Sequence, residues 1–160
     1  MRSTQILAVT VATVALAACN PFHRDPVTEV RGDANVNTRW TATLATPSNL
    51  VGAVQINGDA IMQPRGSGET HFALNIANAT PGGLHPWQVR RGQCGSGSDY
   101  GVVGSTSDYE SVRVGDNGRG ESNAVIQMAT PTYGNYFVTV QASAANSATI
   151  ACGNLSPPTR

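Results

Sequence analysis

From Trp40 onward, apolar and polar residues alternate with period two, and no later stretch keeps a helical period. The cleanest run is 70–76. Phe72, Leu74 and Ile76 fall on one face, and His71, Ala73 and Asn75 on the other, as successive strand side chains do. Residues 40–45 alternate more loosely. Residues 50–56 read as a second strand closed by Asn57-Gly58, a tight-turn pair, and Ile61-Met62 as a short further strand. Pro81-Gly82-Gly83 ends the 70–76 run. Residues 87–90 form the next expected strand, and 92–108, rich in Gly and Ser, an expected loop. Val112 and Val114 lead into Asp116-Asn117-Gly118, read as a hairpin turn, and 124–128, 136–141 and 149–152 are the remaining expected strands. About eight short strands at this spacing predict an all-β sandwich or barrel.

The N-terminus follows a different rule. Arg2 provides a positive start, residues 6–15 are apolar apart from Thr10 and Thr13, and Leu16-Ala17-Ala18-Cys19 has the order of a bacterial lipobox. In that chemistry small residues fit the signal peptidase, and the Cys19 thiol accepts the diacylglyceryl group. The apolar run is too short for a membrane span, which needs about 20 residues, and segments of this shape are removed on export. Asn20 follows Cys19 where an inner-membrane retention signal would have Asp. The expected organisation is a signal peptide over 1–18, a polar tether over 19–38, a domain over 39–156 and a tail over 157–160. The expected location is the cell envelope, lipid-anchored, at the outer membrane facing the periplasm or at the cell surface.

Charge adds one exclusion. Ten basic residues, all arginine, balance ten acidic ones, and charged residues make up only 12% of the chain. Such a balance leaves no electrostatic footprint for nucleic acid. Of the three cysteines, Cys19 is assigned to lipid. Cys94 and Cys152 remain, an even pair in an oxidising compartment, which points to a disulfide over two free buried thiols.

Two segments carry more specific information. One is Pro81-Gly82-Gly83-Leu84-His85-Pro86-Trp87-Gln88-Val89-Arg90-Arg91-Gly92-Gln93-Cys94. The other is residues 134–142, followed by Ile150-Ala151-Cys152-Gly153-Asn154-Leu155. Together they resemble the copper-zinc superoxide dismutase family, with its G-x-H-G-F-H-V-H-E pattern, a cysteine, and a later V-V-H-A and A-C-G-V. The resemblance covers residues 40–155 as strand order, with residue-level matches in these two segments only. It implies a Greek-key β-barrel and a bridge between Cys94 and Cys152.

The departures decide the function it implies. Gln88 and Arg90 stand where the family has two copper-binding histidines, and Gln141 where it has a third. No histidine follows His85, so the copper–zinc bridging residue is missing, and the zinc loop is absent or shortened. His85 matches a histidine that is structural in the family. Copper redox chemistry needs several imidazoles in fixed geometry, and Arg does not give up its proton. His23 falls in the tether, leaving only His71 and His85.

Other patterns are weaker. Residues 92–101 lack the Gly-Lys-Ser/Thr ending of a phosphate loop, Asp116-Asn117-Gly118 lacks the closing Glu of a calcium loop, and no Ser sits in a nucleophile elbow. Arg90-Arg91 reads as a solvated strand end or an anion contact. The expectation is therefore a non-catalytic superoxide dismutase-like envelope lipoprotein, a binding or interaction module. It would have no cofactor, a membrane held through lipid, and a protein or small anion as partner. Its rivals are an antioxidant enzyme with a rearranged metal site and a passive structural protein.

Overall fold

The computed structural model describes residues 38–50, 55–66 and 68–158. The expected signal peptide, Cys19, His23 and the tether up to residue 37 lie outside these described residues. Ten strands are present among them: β1 (Trp40–Ala45), β2 (Asn57–Arg65), β3 (Glu69–Ala77), β4 (Leu84–His85), β5 (Trp87–Gly92), β6 (Asp99–Val102), β7 (Val112–Arg113), β8 (Gly120–Ile126), β9 (Tyr136–Ser143) and β10 (Asn146–Leu155). Eight of them form one curled antiparallel sheet in the order β6-β5-β9-β10-β1-β2-β3-β8, and β4 pairs with β7 beside it. Among the described residues no helix is long and apolar enough to cross a membrane.

The sheet curls around a core built from the apolar faces of its central strands. Trp40, Ala42 and Leu44 of β1 alternate with exposed residues, and Thr70, Phe72, Leu74 and Ile76 of β3 are all buried. On β5, Trp87 and Val89 are buried, and on β9, Val138 and Val140 are fully so. These four face one another across the strand pair, Trp87 opposite Val140 and Val89 opposite Val138. Burying a side chain of this size contributes about 1.5–3 kcal/mol.

Aromatic contacts join the two halves of the sheet. Trp87 packs edge-on against Tyr109 at 5.0 Å, and Tyr109 against Phe72 at 6.1 Å. Each polar handle is satisfied. The Trp87 indole donates to Glu110 O at 2.8 Å and Ser122 Oγ at 3.0 Å, and the Tyr109 hydroxyl donates to Val103 O at 2.6 Å. Burial pushes the Tyr109 hydroxyl's pKa well above its usual value. At the other end Trp40 packs edge-on against Tyr136 at 5.6 Å and donates to Pro131 O.

Several sequence expectations need correction. Asn57-Gly58 is not a turn: both residues open β2, Asn57 opposite Ala45 and Gly58 opposite Leu44. The glycine serves strand approach, since a Cβ there would run into Asn75 O. The described parts of 50–56 form no strand either. Ser48–Leu50 is a single 3-10 turn, and hydrogen bonds between Thr46 and Ile56 close a connection between β1 and β2. Residues 92–108 are not all loop, because β6 and a 3-10 turn over Thr106–Asp108 fall within them. A turn does form at 115–118, with Gly118 N donating to Gly115 O, but β7 pairs with β4 and β8 with β3, so it links no hairpin.

Candidate functional site

Strand alternation places the first two candidate residues. With Trp87 and Val89 turned into the core, Gln88 and Arg90 share the outer face of β5 and are half-buried. Arg90 Nη1 donates to Gln88 Oε1 at 2.7 Å. Arg90 Nε donates to both carboxylate oxygens of Asp99, at 2.9 and 2.8 Å. The Arg90 hydrogen bond holds the Asp99 carboxyl below the usual carboxylate range, with help from Gly101 N at 3.0 Å. The pair is partly exposed, at 23% and 43%, so it orients the guanidinium more than it stabilises the fold.

Gln141 comes from the neighbouring strand. Gln88 lies opposite Thr139, which puts Gln141 one step further along the same face of β9. The structure thus brings Gln88 and Arg90 into direct contact and sets Gln141 diagonally beside Gln88, on the side away from Arg90. Arg90 and Gln141 line one groove of about 360 Å³, and Gln88 lies outside its lining. Phe137, only 5% exposed, forms part of the groove although it stands apart from the main core.

One wall of the groove is the segment after β5. Gly92 turns it at a φ of 120°, where a Cβ would run into Ser98 O. Gln93 N donates to Ser98 O at 3.0 Å, and Cys94 N to Asn154 Oδ1 at 2.8 Å. Cys94 and Cys152 are bonded, their Cα atoms 6.0 Å apart, within the ordinary range for a disulfide. The bridge ties this wall to β10. Asp99 was not legible as a site residue, because it follows a Gly-Ser run with no period-two pattern. Its acidic side chain nine residues after Arg90 was the only available signal.

His85 is placed differently. It is 8% exposed, with Nδ1 3.1 Å from Gln141 O and 3.0 Å from Ala142 O. Carbonyl oxygens only accept, so Nδ1 carries the proton and ties β4 to the end of β9. Nε2 is buried without a described partner, and it faces Gly83, where a Cβ would sit 2.6 Å from it. His71 lies on the outer face of β3, apart from this group, and its pKa is lowered by desolvation and then by Arg65.

The donor set at 88, 90 and 141 does not fit copper. Amide oxygens are poor partners for this ion, and a permanently protonated guanidinium repels it. Among the described residues, no three His, Cys, Asp or Glu side chains are grouped closely enough to hold a metal. Arg90 Nε is engaged by Asp99 and its Nη1 by Gln88, and Arg91 is exposed on the strand end. The chain matches no protein-family model and no curated protein.

Proposed function

We propose that this chain is a non-catalytic superoxide dismutase-like β-barrel, held by a lipid on Cys19 at the cell envelope and serving as a binding module. The observation that carries the reading is the Gln88–Arg90–Asp99 group, hydrogen-bonded within itself where the resemblance puts copper ligands. Catalysis in that family alternates copper between oxidation states. A site built on arginine and glutamine offers no seat for the ion and keeps a polar surface instead. The strand order supports the Greek-key part of the reading: the chain leaves β3 for β5 across the sheet, and returns from β6 to β8 beside β3. The Cys94–Cys152 bridge agrees with the same resemblance.

The mature chain, purified without added metal, is expected to contain less than stoichiometric copper and to show no dismutase activity above buffer. Stoichiometric copper with activity would overturn the reading in favour of a rearranged antioxidant enzyme. The anchor is tested separately. Cys19→Ser removes the acyl acceptor, so the variant is expected in the soluble fraction and unlabelled by radioactive fatty acid. A variant that still labels and stays with membranes would remove the lipoprotein part.

A further inference from the structure

We infer that the groove beside Arg90 binds a neutral saccharide. This names the ligand class of the binding module above and rests on that reading. Among the described residues, Arg90 and Asp99 are the only charged ones lining the groove, and their opposite charges offset each other, Arg90 Nε donating to both Asp99 oxygens. The paired charges leave the groove without net charge, so an ion of either sign gains little long-range attraction from it.

The uncommitted groups are of one kind. Gln93, Gln141, Ser147 and Thr149 line the groove, and their side chains make no hydrogen bond within the described chain. Amide side chains and hydroxyls each donate and accept. That combination matches a sugar hydroxyl, which also does both, better than it matches a carboxylate or an ammonium. Gln141 and Thr149 are direct partners across β9 and β10, so their side chains are neighbours on one face. The register between these strands shifts on either side of Thr149, and such irregularities re-aim side chains beside binding sites.

Shape and rigidity agree. The groove is open and polar, and its volume of about 360 Å³ lies at the lower end of the range for small-molecule sites. Its floor stands on two sheet strands and its wall is strapped by the Cys94–Cys152 bridge, so little ordering is left for the ligand to impose. A flat, hydroxyl-rich chain can lie along such a surface, whereas an apolar ligand finds too little covered carbon.

The test is NMR titration of the isotope-labelled full mature chain in detergent. The probes are cellotetraose, chitotetraose and maltotetraose, with inorganic phosphate and tetra-alanine as the contrasting arms. At least one tetrasaccharide is expected to bind with Kd below about 1 mM and to shift resonances of 93–99 and 139–149. Gln141→Ala with Thr149→Ala should weaken that binding at least about tenfold while the remaining spectrum stays native. Asn123→Ala, on distant β8, should leave it unchanged. No groove shift with any tetrasaccharide, or equal binding by the double variant, overturns the proposal. Groove shifts with phosphate or tetra-alanine alone overturn the saccharide class yet keep the binding module. Copper-dependent activity of the native chain is the separate result that would remove the module itself.

Discussion

Replacing Cys94 and Cys152 by serine is expected to lower the stability of the fold by about 4 kcal/mol. The bridge joins residues 58 apart in sequence, and a link of that span removes much of the unfolded chain's freedom. For a domain of this size the loss corresponds to a fall of about 10–15 °C in Tm. The native side of the balance points the same way. Cys152 stands on β10, on the side of the strand opposite the fully buried Ala151. Cys94 sits in the groove wall, where its backbone N–H is already held by Asn154. Without the bridge, that hydrogen bond is what remains to hold Cys94 against β10. Urea unfolding of the double variant, and of the native chain under strong reductant, should give the same reduced midpoint. A double variant within about 1 kcal/mol of the oxidised chain would deny the bridge this role.

The parts of this architecture that were legible in sequence are those governed by a strict period. The 70–76 run gave its face assignment directly, because β3 has one side in the core and one side out. Trp87, Val89, Val138 and Val140 followed from the same rule, and with them the outward positions of Gln88, Arg90 and Gln141. Asn57-Gly58 misled because a glycine serves two needs. It tolerates turns, and it also admits close strand approach, which is its use opposite Asn75. Asp99 and β6 were hidden by composition: a Gly-Ser stretch reads as loop, and it is contacts distant in sequence, the Arg90–Asp99 pair and the Cys94–Cys152 bridge among them, that hold this one in place. Phe137 was hidden by its covering, since alternation places it outward and only the wall segment over it explains its burial.

Histidine at positions 88, 90 and 141 is expected to create a copper site. Positions 88 and 90 lie two apart on the outer face of β5, and 141 on β9 is a diagonal neighbour of 88, which stands between the other two. Diagonal pairs on one sheet face stand about 7–8 Å apart, within the span of two imidazoles sharing one ion. The Arg90→His change also frees the Asp99 carboxylate, now held by the guanidinium at 2.8 Å, to serve as a further ligand. Removing the positive charge and adding three imidazoles act in the same direction, because imidazole is a favoured ligand for copper. The triple variant should bind copper(II) at least about 100-fold more tightly than the native chain, a difference of roughly 2.7 kcal/mol. No gain on introducing the three histidines would mean that these positions do not share a site.

The most direct measurement is the copper titration of the native full chain itself, set beside that of Gln88→His/Arg90→His/Gln141→His. No tight stoichiometric step is expected for the native protein, and one equivalent is expected to bind to the triple variant. One equivalent bound tightly by the native protein, with Gln88, Arg90 and Gln141 in place, would contradict the non-catalytic assignment.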